Sequence, residues 1–174
     1  MSGPEYKTRK LLIMRHGKSD WSIDSSDFDR PLKKRGIKAA KKIGYWLSNN
    51  AHYKPDVVIS SPAERALSTA SIVAEMLPDQ VELELDDRIY EAGVEQLLQV
   101  LSELPDEINC PLLVGHNPGL ESLLLYLTDV PGDYYKDWKL LTTGTLAIIR
   151  LPVAWDEITE KSGQFKNLIR GKNL

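Results

Sequence analysis

The sequence predicts an α/β fold of three layers, an α/β/α sandwich in which helices cover both faces of a mainly parallel central sheet. Short apolar runs alternate with segments of helical periodicity along the whole chain of 174 residues, the pattern of an α/β protein. The most apolar runs lack alternating polar positions, which is typical of strands buried on both faces. No repeat, low-complexity tract or linker divides the chain, so one domain over residues 1–174 is expected.

The first half of the chain supplies two strands and two helices. Residues 11–14 predict a buried strand that ends at Arg15-His16-Gly17. Residues 33–49 predict a helix whose many lysines lie mostly opposite its apolar positions and form a solvated face. Residues 57–59 predict a second buried strand, and the helix that follows extends to Leu77, next to Pro78.

The start of this second helix resembles a capping box. Ser61 is in position to cap the first turn, and Pro62 suits the first helical position. Glu64 follows three residues after the expected cap. The sequence therefore predicts a helix that begins at Pro62.

The second half continues the alternation. Residues 81–85 alternate like a more exposed strand, and residues 94–104 predict a helix. A third buried strand is predicted at residues 112–114. Asn117 is expected to cap the next helix, with Pro118 at its first position.

Two further strands are predicted near the end of the sequence. Residues 145–151 form an apolar run typical of a strand, and residues 165–169 predict a last strand at the edge of the sheet.

Composition excludes several classes of partner. The 25 acidic residues outnumber the 22 Lys and Arg, and the net charge of −3 does not favour nucleic acid or an anionic membrane. Apolar runs are too short to span a bilayer, and the N-terminus lacks the pattern of a signal peptide. The single cysteine, Cys110, cannot form an internal disulfide. A cytoplasmic protein is expected.

Groups suited to phosphate follow each of the three most buried predicted strands. Arg15 and His16 follow the first strand, Arg65 lies one turn into the helix after the second, and His116 follows the third. In α/β folds, ligands bind outside the carboxyl ends of the strands. These four residues are therefore expected to meet at one edge of the sheet.

The residue types predict both phosphate binding and catalysis. Each guanidinium of Arg15 and Arg65 can hold phosphoryl oxygens through paired, charge-assisted hydrogen bonds. A histidine within such a site is either a ligand or a nucleophile that forms a covalent phosphohistidine. The arginines favour the neutral imidazole that attack requires, and their charge also stabilises the transferring group.

Other kinds of site fit less well. A zinc site of His16, His52 and His116 has no helical ligand spacing, and the neighbouring arginines would repel a cation. Ser60 and Ser61 are not in a nucleophile elbow. The glycine-containing loop at residues 115–119 lacks the motifs of nucleotide-binding loops. No metal and no cofactor are expected, and His52 is expected on the surface.

Three segments together resemble a known family. They are LLIMRHGKSDW at residues 11–21, SSPAER at residues 60–65 and GHNPGLE at residues 115–121. These motifs resemble the histidine phosphatase superfamily, in particular its small phosphohistidine phosphatase branch of the SixA type. The resemblance implies a phosphoglycerate mutase-like fold and a metal-independent phosphatase. It also implies that His16 is the nucleophile, while Arg15, Arg65 and His116 hold the phosphoryl oxygens.

The resemblance further implies a carboxylic acid that protonates the leaving group. The stretch DRIYEA at residues 87–92 resembles the segment that carries this acid and points to Glu91, with Asp20 as a rival. Arg30 and Asn117 are additional candidates for substrate binding.

The expected activity is hydrolysis of phosphohistidine on a signalling protein, such as a histidine phosphotransfer domain. The chain leaves little room for the inserts that enclose small substrates in larger members of the superfamily. Two alternatives stay open. One is a phosphatase for a small phosphomonoester, and the other is a non-catalytic module that binds a phosphorylated ligand.

Overall fold

Residues 8–174 are described by the computed structural model, and a six-stranded sheet lies at their centre. Its strands are β1 (Arg9–Arg15), β2 (Val57–Ser60), β3 (Glu82–Leu85), β4 (Pro111–Gly115), β5 (Thr145–Leu151) and β6 (Gln164–Arg170). The α-helices are α1 (Lys34–Ser48), α2 (Glu64–Met76), α3 (Val94–Ser102) and α4 (Gly119–Leu127). Every predicted strand and helix is therefore present, with boundaries shifted by a few residues.

The strand order is β3-β2-β4-β1-β5-β6. Neighbouring strands from β3 to β1 are parallel, as predicted, whereas β5 runs antiparallel to β1 and β6 runs antiparallel to β5. The direction of β5 follows from the preceding connection. Helix α4 leaves the carboxyl edge of the parallel strands, and the long segment 128–144 returns the chain to that edge before β5 begins.

Two apolar layers, one on each face of the sheet, confirm the predicted sandwich. In β1, Leu11 and Ile13 pack with α3 and α4, whereas Leu12 and Met14 pack with α1 and α2. Alternate residues of one strand face opposite sides of a sheet. A strand that is apolar at every position must therefore be covered by other elements on both faces of the sheet. The edge position predicted for β6 is also confirmed, and β3, predicted to be more exposed, forms the opposite edge.

Both predicted helix caps are wrong. Helix α2 begins at Glu64 with Ala63 as its N-cap, and α4 begins at Gly119 after Pro118, neither with a side-chain cap. The Ser61 hydroxyl accepts from the Ala63 amide at 3.3 Å, outside the first turn, and lies 2.7 Å from His116 Nε2. The Asn117 amide donates to the carbonyl of Leu141 at 2.8 Å. Residue types that suit a cap also suit tertiary hydrogen bonds, and here the tertiary partners prevail.

The loop after β1 is held against the start of α1. Lys33 N donates to the carbonyl of Lys18 at 2.8 Å. Gly17 and Gly36 permit this approach, because a Cβ on Gly36 would lie 2.4 Å from the Lys18 carbonyl oxygen. The end of β1 is thereby fixed in position relative to the rest of the sheet edge.

None of the helices within residues 8–174 is both long enough and apolar enough to span a membrane.

Substitution of Gly36 by alanine tests this packing. We expect Gly36→Ala to lower the free energy of unfolding by about 1–3 kcal/mol, the usual cost of forcing extra atoms into a packed region. Urea denaturation of both proteins measures the difference. Gly132→Ala is the matched control, because no atom of residues 8–174 beyond its chain neighbours lies within 4 Å of a Cβ built there. Equal stability of Gly36→Ala and the unsubstituted protein would contradict the predicted clash.

Candidate active site

The carboxyl ends of β1, β4 and β2 lie side by side and bring the predicted site residues together. Arg15 pairs with Gly115 in the parallel register of β1 and β4, so the residues that follow, His16 and His116, are neighbours. Their ring centroids are 5.2 Å apart. Arg65, from the first turn of α2, places its Nε 3.3 Å from His16 Nε2. The expected convergence of these four residues is therefore observed.

His16 is buried and held as one tautomer. Its Nδ1 lies 2.7 Å from the carbonyl oxygen of Gly17, which can only accept, so Nδ1 carries the proton. Nε2 consequently holds the lone pair, and it accepts a hydrogen bond from Arg65 Nε. Burial lowers the pKa of His16 to about 3, and the charges of Arg65 and Arg15 act in the same direction. His16 is thus a neutral imidazole at physiological pH.

Arg65 is the buried centre of the hydrogen-bond network. Besides its bond to His16, it donates through Nη1 to the backbone carbonyl of Asp27 and through Nη2 to the Asp27 carboxylate, the latter at 3.1 Å. Thr69, one turn later in α2, donates to the carbonyl of Arg65 and accepts from the amide of Gly17. Thr69 therefore ties the arginine-bearing turn to the histidine loop.

Arg15 is oriented by the segment that leads into β5. Its Nη1 donates to the carbonyl of Leu141 at 2.9 Å, while its Nε is buried and has no hydrogen-bond partner among residues 8–174. Asn117 donates to the same carbonyl at 2.8 Å, and its Oδ1 is also buried without a partner in that part of the chain. Burial lowers the pKa of Arg15. Arg15 Nε can donate to an oxygen of a ligand, whereas Asn117 Oδ1 can only accept from a donor.

His116 contacts the opposite side of the site. Its Nε2 lies 2.7 Å from the Ser61 hydroxyl, and its Nδ1 is buried with no partner in the described chain. Burial, followed by the charge of Arg65, lowers its pKa to about 4. The ring of Tyr90 meets it edge-on at 5.6 Å. His116 is therefore neutral at physiological pH, like His16.

Asp27 is a site residue that the sequence analysis missed. Its carboxylate accepts hydrogen bonds from Arg30 at 2.6 Å, from the Tyr90 hydroxyl at 2.7 Å and from Arg65 at 3.1 Å. The Tyr90 hydroxyl and both arginines hold the pKa of this carboxyl well below its usual range. The loop from residue 19 to residue 29 contains several acidic residues, and no local pattern distinguishes the one that folds back onto Arg65.

Arg30 lies behind Asp27. Besides its bond to Asp27, it donates to the Ser19 hydroxyl at 3.2 Å, and its guanidinium stacks on the ring of Trp21 at 3.5 Å from the centroid. Arg30 does not line the cleft described next. Its direct contacts orient the carboxylate that faces Arg65.

An open cleft of about 420 Å³ adjoins this network at Arg65 and His116, and neither His16 nor Arg15 is part of its lining. Glu91 and Asn117 line it together with Asp27, Arg65, Tyr90, Ala92, Gly93, His116, Pro118 and Gly119. Glu91 is exposed and has a φ of 56°, a left-handed conformation that is costly for a residue with a side chain. Asp20 lies outside this lining and is engaged by Ser22 and Lys33. The structure thus brings Glu91, but not Asp20, to the cleft.

The arrangement is suited to an anion with several oxygens. Two fixed guanidinium groups and two neutral imidazoles lie at one sheet edge, and the lone pair of His16 Nε2 accepts a hydrogen bond from Arg65. Within residues 8–174, no group of three or more His, Cys, Asp or Glu side chains is arranged to hold a metal ion.

Comparison of the sequence with known families gives one match. The profile of the Histidine phosphatase superfamily (branch 1) matches residues 11–107. Among curated proteins, the chain is 28% identical over 149 residues to the uncharacterised protein Rv1276c of Mycobacterium tuberculosis, covering 83% of this chain and 91% of that protein. A 2,3-bisphosphoglycerate-dependent phosphoglycerate mutase 2 of Lactobacillus johnsonii is 34% identical over 94 residues, covering 49% and 41% of the two chains.

Solved structures share the fold. The chain resembles the protein histidine phosphatase SixA complexed with tungstate, with a TM-score of 0.74 and 24% identity, covering 94% of this chain and 98% of that one. It also resembles a candidate phosphohistidine phosphatase SixA from Nakamurella multipartitia, with a TM-score of 0.80, 24% identity, and 94% and 96% coverage. These similarities, together with that to phosphoglycerate mutase from Plasmodium falciparum (TM-score 0.63, 20% identity, 92% and 90% coverage), confirm the predicted phosphoglycerate mutase-like sandwich.

Substitution of Asp27 tests whether it competes with anions for the arginines. Asp27→Asn keeps the side-chain shape but leaves Arg65 and Arg30 without their shared counter-charge, so we expect inorganic phosphate to bind about 3- to 10-fold more tightly. Isothermal titration calorimetry measures the affinity.

Asp29→Asn is the matched control. Its carboxylate lies in the same loop and bonds to Ser26, without contacting an arginine. Unchanged or weaker phosphate binding by Asp27→Asn, relative to this control, would show that Asp27 does not compete with the anion.

Proposed function

The chain belongs to the histidine phosphatase superfamily, and from this premise we propose that it removes phosphate from phosphohistidine on a signalling protein through a covalent intermediate at His16. The observation that carries the proposal is the tautomer of His16. Its proton is held on Nδ1 by the Gly17 carbonyl, and its Nε2 lone pair lies beside Arg65. A buried neutral imidazole can act as a nucleophile, and the neighbouring guanidinium can bind the phosphoryl group that the imidazole would attack.

The first proposed step transfers the phosphoryl group to the enzyme. The hydrogen bond from Arg65 Nε to His16 Nε2 is released, and Nε2 forms a bond to phosphorus. The bond from phosphorus to the leaving group breaks, and the leaving group takes the electron pair and a proton from Glu91. The low pKa of His16 keeps Nε2 unprotonated before this attack. Because phosphorus bonds to Nε2 while Nδ1 stays protonated, the Gly17 carbonyl remains bonded throughout.

Arg15, Arg65 and His116 are the proposed ligands of the phosphoryl oxygens. Arg15 Nε and His116 Nδ1 are the buried atoms of the site that lack a partner within residues 8–174 and can donate to an oxygen. With the Ser61 hydroxyl donating to Nε2, His116 presents Nδ1–H. These groups supply the positive charge and the donors that transfer of a phosphoryl group requires, so we propose that no metal is needed.

Glu91 is the proposed proton donor. It lines the cleft with His116 and Arg65. The rival Asp20 accepts hydrogen bonds from Ser22 and lies near Lys33, and both effects lower the pKa of Asp20 and keep its carboxyl ionised. Asp27 also lines the cleft but is held ionised by Tyr90 and the arginines, so it cannot serve as an acid. Glu91 is the remaining carboxyl among the described residues that line the cleft.

The second proposed step releases phosphate. Water attacks phosphorus, Glu91 takes the proton of that water, and the bond between phosphorus and His16 Nε2 breaks, with the electron pair returning to the imidazole. Glu91 then carries the proton that it donates in the next cycle. Phosphate leaves a site in which the Asp27 carboxylate already engages Arg65.

The proposed substrate is a phosphohistidine side chain on a cytoplasmic signalling protein, such as a histidine phosphotransfer domain. The cleft is open, and exposed apolar side chains border the loop that carries Asp27, namely Trp21, Ile23 and Phe28. A protein-borne imidazole can enter such a cleft without the movement of a lid. The structural similarity to the protein histidine phosphatase SixA also supports this substrate.

Phosphate release is the first test of this proposal. Metal-stripped protein is incubated with a phosphohistidine-bearing phosphotransfer protein, with p-nitrophenyl phosphate and with several sugar phosphates, and kcat/KM is compared. We expect the phosphorylated protein to be preferred and His16→Ala to abolish turnover. His52→Ala, an exposed histidine outside the site, is the control. Preference for a sugar phosphate would indicate a small-ester phosphatase, and phosphate binding without turnover would indicate a binding module.

A second test concerns Glu91. Glu91→Gln removes the proton donor, so we expect kcat to fall roughly 10²- to 10⁴-fold on esters with poor leaving groups, the usual contribution of general acid catalysis. The loss on p-nitrophenyl phosphate is expected to be smaller, because its leaving group needs little protonation. Asp20→Asn is the matched control. Equal losses on both classes of ester would contradict the assigned role.

A further inference from the structure

A second pocket lies beside the catalytic histidine loop and is lined by cations. Its volume is about 210 Å³. Lys18, Arg35 and Lys172 line it together with Ala39, Thr142 and Thr143, so none of its lining residues within 8–174 is acidic. This composition contrasts with the net charge of −3 of the whole chain. The pocket, called here the basic pocket, is distinct from the cleft that contains Glu91 and His116.

The walls of the basic pocket are fixed by backbone contacts. Lys18 follows the histidine loop, and its backbone packs against Gly36, next to Arg35. Thr142 and Thr143 connect Leu141, the acceptor of Arg15, to Gly144. The pocket is therefore built from segments that are joined directly to the catalytic residues.

The remaining wall comes from the end of β6. Gly171 N donates to the Gly144 carbonyl at 3.0 Å, which places Lys172 beside the threonines. Gly144 N in turn donates to the carbonyl of His16 at 2.9 Å. The basic pocket thus lies at the same edge of the sheet as the catalytic site.

The three cations of the basic pocket have no counter-charge in the described chain. Among residues 8–174, none of their side chains forms an ion pair or a hydrogen bond. Arg65 of the catalytic site differs, because the Asp27 carboxylate pairs with it and with the neighbouring Arg30. Like charges that share a pocket repel one another, and an anion from outside relieves this repulsion.

We propose that the basic pocket binds a carboxylate side chain of the substrate protein, near its phosphohistidine. This inference rests on the proposed function and adds a determinant of substrate choice. Arg35 and Lys172 are exposed, so a side chain on the surface of another protein can reach them. The backbone of His16 adjoins one wall through Gly144. An acidic residue close to the phosphohistidine would therefore contact the cations while the phosphoryl group occupies the catalytic site.

Peptide binding tests the basic pocket separately from catalysis. Two fluorescent peptides carry phosphoryl-triazolylalanine, a non-hydrolysable mimic of phosphohistidine, and differ only in flanking residues, which are Glu in one and Gln in the other. Fluorescence anisotropy gives both dissociation constants. We expect the Glu peptide to bind about tenfold more tightly, as is reasonable for two or three partly exposed ion pairs. In the Lys18→Gln/Lys172→Gln variant we expect the ratio to fall to about twofold or less.

Two further variants control the experiment. Lys41→Gln removes an exposed lysine of α1 that lines a different pocket. This variant should preserve the tenfold preference for the Glu peptide. Arg35→Gln should lower the ratio independently of the double variant. Equal binding of both peptides by the unsubstituted protein, or an acidic preference that survives the double variant, overturns the basic pocket but leaves the proposed function standing. Failure of both peptides to bind overturns both proposals.

Discussion

The hydrogen bond between His16 Nδ1 and the Gly17 carbonyl is the constraint on which the site depends. It assigns the proton to one side of the ring and leaves the lone pair on the side that faces Arg65. Burial then prevents a second protonation, because a charged imidazole would lose its hydration beside fixed positive charge. The close approach of Gly17 and Gly36 and the bond from Thr69 hold the loop in which this geometry exists.

Charge balance is the second organising feature. Guanidinium groups that lie close together attract phosphate strongly. They also slow the release of phosphate, and their positive charges repel one another. The Asp27 carboxylate offsets this repulsion, because it joins Arg30, Arg65 and the Tyr90 hydroxyl in one network. The basic pocket has no such internal partner among the described residues, so its charge remains available to a ligand. The two neighbouring sites therefore differ in charge compensation, although both are positive.

The elements of the fold were predictable because their signals are local and redundant. β1 is apolar at four consecutive positions, so it must lie between two apolar layers whatever its neighbours are. The direction of β5 was not predictable, because it depends on the path of the long segment 128–144. Ser61 and Asn117 show the limit of short motifs, since each has the chemistry of a helix cap but bonds to a residue distant in sequence.

The sequence by itself determined the alternation of strands and helices and the four residues Arg15, His16, Arg65 and His116 that meet at one edge. It could do so because hydrophobic periodicity places strands, and parallel strands end together. Only the tertiary structure decided the tautomer of His16, the role of Asp27 and the position of Glu91 in the cleft. These features depend on contacts between loops far apart in the chain, and a loop carries no periodic pattern that reveals its partner.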